Sequence, residues 1–441
     1  MAAQGWQNWA GRIKCAPRQM VAIASEDDAV RLMASNPALP IRMAGSGHSF
    51  TPLADCEGTL VRLAPEPKLF HVDKEKGLAT IWAGTPVWAL GPLLHPHGLA
   101  LANQGDIDRQ TIAGATGTGT HGTGVTLGSL STMIRAVTLV TPAGEVKTCS
   151  LEQEPELFQA ARLSLGSIGI ITRLTLALVP SYRLTENGWL EDADKALANI
   201  DAAAARHRHY EFFWFPYAKK VVAKSLDPAP PDSSPARTAA QMHARGLVSS
   251  FDEKIFRMGC RLTKWVPPIG PSLHGIFTSG FKGSTRTRWS FEIFASPRTV
   301  RFNEMEYAVP AARGAACLEA IVRTIRDRRI RTAFPIEMRL VAADDLWISP
   351  FNGRASMTLS VHQWAKDDER TLFKASEDIF LAHEGRPHWG KMHSLKAVEF
   401  QRLYPDFARF GAVREKVDPE GRLLNHHLAA IFGASPSWRR N

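Results

Sequence analysis

Short apolar runs broken by glycine turns dominate the first 180 positions, and this pattern predicts strands rather than long helices. We predict strands in PIRMAG, GTLVRL, GLATIWAG and IITRLTLALV, and a hairpin in MIRAVTLVTPAGEVKTC with its turn at residues 141–144. Two helices interrupt them. SEDDAVRLMASNP begins after Ser25, with Asp28 placed for a capping box, and PELFQAARLS has Pro155 in its first turn.

The middle of the chain has longer elements. RASMTLSVHQW predicts a strand, and FDEKIFRMGCRLTKWV shows apolar and basic faces at helical spacing. We interpret this helix as a partly buried core helix, with a helix on a membrane surface as the alternative. The Pro/Ser-rich residues 224–238 predict a surface loop. The pattern as a whole indicates an α+β fold, with a glycine-rich unit followed by a unit of longer elements.

Length and charge limit the function classes. The 441 residues suggest two or three domains, and the formal net charge of +10 favours anionic partners. The densest basic run, residues 325–332, has no interleaved aromatic side chains, so we expect no nucleic-acid partner. The five cysteines are scattered without a Cys-x-x-Cys pair, and no apolar run reaches the length of a membrane span. We therefore expect a soluble, cytoplasmic protein with no zinc site and no signal peptide.

Two glycine clusters each carry a histidine. GSGHS, residues 45–49, ends a predicted strand and contains His48, and TIAGATGTGTHGTG, residues 111–124, contains His121. The second cluster satisfies G-x-G-x-x-G as a string, but neither the buried strand before it nor the amphipathic helix after it is predicted. We predict instead a long loop whose backbone N–H groups and hydroxyls suit a pyrophosphate. Two such clusters favour one nucleotide-like ligand held by both.

Charged residues also occur where apolar ones are expected. Glu337 and Arg339 lie at i and i+2 of FPIEMRLVA, so they share one face of a predicted strand. A solvent-facing ion pair is the alternative to a buried functional pair. The histidines of His383-Glu-Gly-Arg-Pro-His388 are spaced wrongly for a zinc helix, which Gly385 and Pro387 also oppose, so we expect no metal. Lys391 adds a cation after the proline turn.

Taken together, these stretches resemble the aldonolactone oxidase family, which acts on L-gulono- and D-arabinono-1,4-lactones and belongs to the vanillyl-alcohol-oxidase-type covalent flavoproteins. The resemblance runs from GSGHS and GTGTHGTG to FPIEMR, ADDLWISP, GRPHWGKMHS and VREKVDPEGRLLN. It implies a two-domain FAD-binding fold of the PCMH type, with an α/β cap domain carrying an antiparallel sheet. The implied divisions are residues 1–182 for the FAD-binding domain, 183–384 for the cap, and 385–441 for a C-terminal segment that contributes to the active site and returns to the FAD domain.

The resemblance also assigns site residues. It implies FAD bonded covalently to His48, and a catalytic trio of Glu337, Arg339 and Lys391. The other implied cofactor contacts are Gly45, Ser46, Gly47, Ser49, Gly105, Asp106, Thr111, Gly114, Ala115, Gly117, Thr118, Gly119, Thr120, His121, Gly122, Gly169, Ile170 and His388.

The implied reaction is oxidation of the C2 hydroxyl of an aldono-1,4-lactone by hydride transfer to flavin N5. The flavin is then reoxidised by O2, giving H2O2, or by another acceptor, and the products of gulono- and galactono-lactone tautomerise to ascorbate. An alditol oxidase acting on an open-chain polyol such as xylitol or sorbitol is an alternative within this chemistry. A non-catalytic basic binding protein on the same scaffold is the alternative from another class.

Overall fold

A computed structural model describes residues 5–232, 234–245 and 251–439. Its first 180 residues contain short strands linked by turns. These are β1 (Trp6–Gln7), β2 (Lys14–Cys15), β3 (Gln19–Ile23), β4 (Ile41–Met43), β5 (Thr59–Leu63), β6 (Leu69–Asp73), β7 (Leu78–Trp82), β8 (Leu99–Ala100), β9 (Ile134–Val140), β10 (Val146–Ser150), β11 (Ile170–Ala177) and β12 (Val179–Pro180). Most of the strands that follow are longer. They are β13 (Arg183–Asp192), β14 (His209–Trp214), β15 (Lys220–Ala229), β16 (Ser284–Trp289), β17 (Phe302–Pro310), β18 (Ile336–Val341), β19 (Ser356–Trp364) and β20 (Arg386–Pro387).

Helices separate the strands and close the chain. They are α1 (Glu26–Ala34), α2 (Val87–Leu94), α3 (Ile112–Gly117), α4 (Pro155–Arg162), α5 (Ala193–Ala198), α6 (Ile200–Arg206), α7 (Ala239–Arg245), α8 (Phe251–Trp265), α9 (Gly270–Ser279), α10 (Ser290–Ile293), α11 (Ala311–Asp327), α12 (Arg370–Ala382), α13 (Ala397–Leu403), α14 (Phe407–Val417) and α15 (His426–Phe432). None of the described helices combines the length and the apolar composition that crossing a bilayer requires.

Two sheets organise the first part of the chain. Strands β3, β5 and β4 form a parallel sheet, and β10, β9, β11, β7 and β6 form an antiparallel one. The predicted hairpin is confirmed as the β9–β10 pair, and the predicted capping box at the start of α1 is confirmed, with Ser25 accepting from the Asp28 backbone N–H. Because β4 ends at Met43, the glycine cluster containing His48 begins at the carboxyl edge of the parallel sheet.

An antiparallel sheet dominates the second part, in the strand order β16-β13-β15-β14-β18-β19-β17-β20. Long registers hold it together: β13 pairs with β15 over ten residues, and β17 pairs with β19 over nine. Helix α11 packs on one side, with Cys317, Leu318 and Ile321 buried in the main core. This arrangement confirms the predicted fold class and the antiparallel sheet, while the exact domain boundaries stay a prediction.

The C-terminal segment contacts both parts. Strand β20 pairs with β17 at the edge of the large sheet, so residues 386–387 belong to that sheet. Farther along, the Ile41 backbone N–H donates to the Arg422 carbonyl, and the Asn425 amide donates to Pro52 at 2.7 Å. The buried Arg42 guanidinium donates to carbonyls of Leu53, Leu165, Gly166 and Leu423, which lie in three separate segments of the chain.

Two sequence predictions were wrong in detail. Part of the segment predicted as a long loop, residues 111–124, is the short helix α3, because Thr111 caps it by accepting from the Gly114 N–H and Ile112 and Ala115 are buried beneath it. Residues 224–229 of the predicted surface loop belong to β15, since pairing with β13 continues through Pro228. Ser233 in that segment, and residues 246–250 before α8, lie outside the described residues.

Candidate active site

A narrow groove of about 130 Å³ lies against the carboxyl edge of the parallel sheet. Three segments line it, near residues 42–54, 110–118 and 164–171. The predicted cofactor residues found along it are Gly45, Ser46, Gly47, His48, Ser49, Thr111, Gly114, Gly117, Thr118, Gly169 and Ile170. Residues 164–166, 42 and 110 also line this groove and were not predicted from the sequence; Arg42 and Ser164 are buried.

The groove depends on positions without side chains. Gly47 has φ +75°, a left-handed conformation that favours glycine, and the turn it makes carries His48 to the end of the groove. At Gly117 an added Cβ would meet no protein atom within 4 Å, although this residue lines the groove. The space beside its backbone is therefore open to a ligand. A narrow, backbone-lined groove next to a helix start fits the phosphates of a dinucleotide.

His48 lies where the groove meets a second, larger cavity, and it lines both. The Trp9 ring stacks on its imidazole with 5.6 Å between ring centroids. Burial, together with the charges of Lys391 and Arg109, lowers the pKa of His48 to about 4. The imidazole is thus neutral near pH 7, which is the form with a free nitrogen lone pair.

The larger cavity has a volume of about 540 Å³ and lies over the antiparallel sheet. One part of its wall consists of aromatic rings, and the other part of charged side chains. The aromatic rings belong to Phe213, Phe215, Phe256, Phe281, Phe302 and Phe334. The predicted residues that line the cavity are His48, Ser49, Gly105, Asp106, Thr118, Thr120, His121, Glu337, Arg339, His388 and Lys391.

This charged part of the wall comes from alternate positions of three adjacent strands, β18, β19 and β17. Glu304 and Glu306 lie on β17, Glu337 and Arg339 on β18, and Ser360 and His362 on β19. In the sheet, Glu337 pairs with Ser360, Ser360 with Glu306, and His362 with Glu304. Because residues at i and i+2 share a face, the three short repeats form one polar layer on this part of the sheet.

Glu306 is the central acceptor of this layer. Its carboxylate lies 2.6 Å from His121 Nε2, 2.9 Å from Arg339 Nη2 and 2.7 Å from Ser360 Oγ. Burial alone would raise the pKa of Glu306, but the charges of Arg339 and His121 hold that pKa well below its ordinary value. The carboxylate therefore ties His121 of the glycine loop to the sheet that carries Arg339.

Lys391 reaches the same layer from the C-terminal segment. Its ammonium forms an ion pair with Glu304, and it lies 5.2 Å from the centre of the Phe50 ring. Glu304 also faces His362 Nε2 at 3.5 Å. Burial would raise the pKa of Glu304, but the charges of Lys391 and His362 lower it to about 2. This pair fixes a cation at the edge of the cavity nearest His48.

Glu337 differs from the other two glutamates. Its Oε1 atom lies 3.4 Å from Arg339 Nε but makes no hydrogen bond within the described residues. Burial raises the pKa of Glu337 to about 7, with Arg339 opposing that shift and the negative charges of Glu211 and Asp106 adding to it. A buried carboxyl group with a pKa near 7 can accept a proton at physiological pH.

The layer also brings three potential metal ligands together, two carboxylates and one imidazole. One ligand atom each of Glu304, Glu337 and His362 lies within 4.8 Å of the others. However, Lys391 and Arg339 already lie against the two carboxylates and balance their charge. The sequence also places His383 and His388 close together. Helix α12 ends at Ala382, before both of them, and His383 donates from Nδ1 to the Ile379 carbonyl at 2.9 Å.

His388 is buried beside His121, with 5.7 Å between the ring centroids, and burial lowers its pKa to about 3. Its Nδ1 accepts from the Gly390 N–H at 3.0 Å, which fixes the turn that presents Lys391. Asp106, predicted as a cofactor contact, lines the larger cavity, where it pairs with Arg298 of the second part of the chain.

Three of the predicted cofactor residues, Ala115, Gly119 and Gly122, line neither the groove nor the cavity. Ala115 is fully buried in α3, an added Cβ at Gly119 would lie 3.1 Å from Leu163, and one at Gly122 would lie 2.4 Å from the Gln104 carbonyl. In contrast, sequence reasoning missed Glu304, Glu306 and His362. Their signal was the alternation of polar and apolar residues in FNEMEYAVP and TLSVHQW, similar to the spacing that identified Glu337 and Arg339.

Comparison with known proteins gives matches along nearly the whole chain. The family described as D-arabinono-1,4-lactone oxidase matches residues 174–431, and the FAD binding domain family matches residues 17–150. The L-gulono-1,4-lactone dehydrogenase of Mycobacterium tuberculosis is 36% identical over 97% of this chain and 99% of its own length. The L-gulonolactone oxidase of Bos taurus is 30% identical over 97% of this chain and 98% of its own.

Among solved structures, cholesterol oxidase from Brevibacterium sterolicum superposes with a TM-score of 0.79 at 17% identity, over 97% of this chain and 96% of that one. This similarity confirms the fold. The FAD-binding match covers residues 42–54 and 110–118 of the groove. The lactone oxidase and dehydrogenase matches show that the protein is an oxidoreductase, so the alternative of a non-catalytic binding protein is wrong. The chain belongs to the D-arabinono-1,4-lactone oxidase family of FAD-dependent oxidoreductases.

Proposed function

We propose that this protein oxidises the C2 hydroxyl of an aldono-1,4-lactone to the corresponding 2-keto lactone. The observation that carries the proposal is the polar layer of Glu304, Glu306, Glu337, Arg339 and His362, which faces the cavity at the end of the groove. A sugar lactone is small, uncharged and rich in hydroxyls, so it needs hydrogen-bond donors and acceptors at fixed positions. The layer supplies both, and FAD, when bound, supplies an acceptor for the hydride.

Glu337 is the group that we propose to accept the hydroxyl proton. Its Oε1 atom is buried, makes no hydrogen bond within the described residues, and belongs to a carboxyl group with a pKa of about 7. Glu304 and Glu306 are poorer candidates, because their pKa values are lowered and their oxygens already accept from Lys391 or Arg339. The proton can thus be held at Glu337 without leaving a new unpaired charge in the cavity.

Arg339 and Lys391 supply positive charge around the same space. Arg339 is held by Glu306 and Glu337, and Lys391 by Glu304, so neither cation has to reorganise as the reaction proceeds. We propose that both favour alkoxide character on the substrate oxygen while its proton moves to Glu337. Truncation of either side chain should therefore slow the chemical step more than it weakens substrate binding.

We further propose that His48 carries the FAD covalently. Support comes from its position at the junction of groove and cavity and from its lowered pKa, which keeps the imidazole neutral and nucleophilic. The remaining predicted cofactor residues along the groove would hold the dinucleotide through backbone N–H groups and hydroxyls. A tryptic fragment containing His48 should carry the mass of the flavin, and an unmodified fragment from fully coloured protein would contradict the bond.

Three further properties belong to this proposal. The acceptor for the reduced flavin is O2, with H2O2 as product, or another oxidant. The protein resides in the cytoplasm, which agrees with the five free cysteines. Residues 1–182 and 183–384 act as FAD-binding and cap domains, and residues 385–441 complete the active site through Lys391.

The experiment is anaerobic mixing of the purified protein with candidate substrates while the flavin absorbance is recorded. We expect bleaching by L-gulono-, L-galactono- or D-arabinono-1,4-lactone, and little by xylitol or sorbitol. Bleaching by a polyol alone would identify an alditol oxidase instead. A coloured protein that none of these compounds bleaches would contradict the whole proposal.

A further inference from the structure

The larger cavity extends well beyond the polar layer. Its lining continues from β18 across β14, β15 and β13 to β16, so the cavity follows the face of the large antiparallel sheet. Four strand spacings separate β18 from β16, which amounts to roughly 19 Å. The proposed substrate is a single five-membered lactone ring with a short side chain, and its reaction takes place at the end beside Glu337. The rest of the cavity is therefore longer than this reaction requires.

The residues that line this outer length share one face of the sheet. Phe213 on β14 pairs in register with Glu337 on β18. Farther out, Gly188 on β13 pairs with Lys224 on one side and with Ser284 on the other. All five residues line the cavity. A continuous surface thus leads from the carboxyl group that we propose as proton acceptor to β16 at the edge of the sheet.

The aromatic part of this surface depends on a glycine. Gly188 lies within β13, and an added Cβ there would be 2.9 Å from the Phe281 ring and 3.1 Å from Ser284 Oγ. Glycine inside a strand marks the close approach of another group, and here it lets the Phe281 ring lie against the sheet. Phe281 and Phe213 therefore both supply ring surface to the outer length of the cavity.

Three basic side chains line the same length, and each is paired with a carboxylate. The pairs are Arg286–Glu186, Lys224–Glu211 and Arg298–Asp106. Arg286 makes two hydrogen bonds to Glu186, from Nε to Oε1 at 2.8 Å and from Nη2 to Oε2 at 2.9 Å. The Asp106 Oδ1 atom is buried and accepts no hydrogen bond within the described residues. The three positive charges are thus balanced, and one acceptor is left for a ligand.

We propose that Phe213, Phe281, Lys224, Arg286 and Arg298 form an outer subsite for a second, uncharged sugar unit attached to the side chain of the lactone. A sugar ring has apolar C–H faces and a rim of hydroxyl groups. The faces can pack on the aromatic rings, and the hydroxyls can bond to the paired charges. This inference rests on the proposed function, because it takes the lactone ring to lie beside Glu337, and it extends the substrate class beyond single-ring lactones.

Other substituents fit the outer subsite less well. An anionic group would compete with carboxylates that already neutralise all three cations. An alkyl chain would pack on the phenylalanines, but it would remove water from the ion pairs without replacing the lost hydrogen bonds. A neutral sugar satisfies both parts of the lining.

The test compares L-gulono-1,4-lactone with the same lactone carrying a glucosyl unit or a hexyl group on O6. The dependence of anaerobic flavin reduction on substrate concentration gives an apparent dissociation constant for each. We expect the glucosyl unit to lower this constant about tenfold and the hexyl group to lower it less. Phe281→Ala should remove most of the gain from the glucosyl unit, and Arg286→Gln should reduce it about threefold.

Phe70→Ala is the matched control, because Phe70 is 46% exposed on β6 and does not line the cavity. It should keep the full gain from the glucosyl unit. Three outcomes would overturn the proposal: a glucosylated lactone that binds no better than the plain one, a larger gain from the hexyl group, or a gain that both Phe281→Ala and Arg286→Gln retain. Flavin absorbance and circular dichroism establish that each variant is folded.

The same experiment separates this inference from the proposed function. Bleaching by the plain lactone without a gain from the glucosyl unit would overturn the outer subsite alone. If neither lactone bleached the flavin, the proposed function would fail. Calorimetric titration with the two lactones, which needs no turnover, would then still decide whether the sugar unit binds.

Discussion

The groove and the cavity meet at His48 but are built from different parts of the chain. Glycines, small hydroxyl residues and apolar side chains such as Met43, Leu63 and Ile170 line the groove, all from the first 171 residues. Charged side chains from β17, β18 and β19, joined by Lys391 of the C-terminal segment, line the reactive part of the cavity. The groove therefore has almost no charged side chains in its lining, whereas the cavity is held by a network of buried charges that pair with one another.

This difference predicts that substitutions in the groove and in the cavity will have different effects on activity and stability. In the groove, most contacts to a ligand would come from main-chain atoms, which a substitution affects only by filling space or moving the backbone. In the cavity, each charge is partner to at least one other, so removing one leaves another buried without compensation. Substitutions in the cavity should thus change both chemistry and stability, whereas those in the groove should separate the two.

The largest effect is expected for Arg339→Met. The variant leaves the Glu306 and Glu337 carboxylates without their shared guanidinium, and it removes one cation from the reacting centre. We expect a fall of about a thousandfold in the rate of flavin reduction by lactone and a decrease of about 3 kcal/mol in the free energy of unfolding. Stopped-flow absorbance and urea unfolding measure the two.

Arg370→Met is the control for this variant. Arg370 pairs with Asp368, but its side chain is 85% exposed, so solvent replaces the lost partner. Neither the free energy of unfolding nor the reduction rate should change measurably, because exposed ion pairs contribute little to stability. If Arg339→Met were as mild as Arg370→Met, the buried network would not be what maintains the cavity.

The next largest effect, a loss of stability, is expected for a substitution of Arg42 on the groove side. This buried guanidinium donates to four carbonyls in segments that line the groove or lie beside it, and burial lowers its pKa to about 10. Arg42→Met keeps much of the volume but leaves these acceptors unpaired. We expect the free energy of unfolding to fall by about 3 kcal/mol, with the reduction rate of the folded, flavin-loaded fraction close to normal.

Glu337→Gln tests the proposed proton acceptor. Because the pKa of Glu337 is raised to about 7, the carboxylate form grows as pH rises through that value, so the reduction rate of the unaltered protein should increase with it. The variant should reduce its flavin about a hundredfold more slowly and lose this pH dependence. The test is to measure the rate of flavin reduction by saturating lactone across the same pH range for both proteins. If the variant kept the inflection near pH 7, another group would accept the proton.

The sequence could predict the groove more completely than the cavity, for a physical reason. GSGHS and the Gly/Thr segment can be recognised in the sequence, because a site where a ligand approaches the backbone needs consecutive residues without large side chains. Glu337 and Arg339 could also be predicted, since charges at i and i+2 of an apolar strand are unusual. The residues that pair with them could not be predicted. Glu306 contacts Arg339 only because β17 and β18 flank β19, and local sequence patterns do not encode strand order. Helix α3 was missed because burial and a threonine cap outweigh poor helix formers.

The smallest effect is expected for Gly117→Ala, which should fill space in the groove without destabilising the fold. A methyl group at this position meets no protein atom within 4 Å, yet it would project where the groove lies open. Gly411→Ala is the matched control: its added Cβ also meets nothing, but it lies in α14, outside the groove. Both variants should keep or slightly raise the free energy of unfolding, because alanine restricts the unfolded chain.

Only Gly117→Ala should affect the cofactor, with a flavin content per polypeptide, or an affinity for added FAD, lower by up to about tenfold. Absorbance of the purified variants and FAD titration of protein in which His48→Ala prevents a covalent bond give the two values. Equal flavin retention in both glycine variants would mean that the dinucleotide does not pass beside residue 117. In that case the open space at Gly117 would belong to solvent, and the groove would have to be traced along residues 164–171 instead.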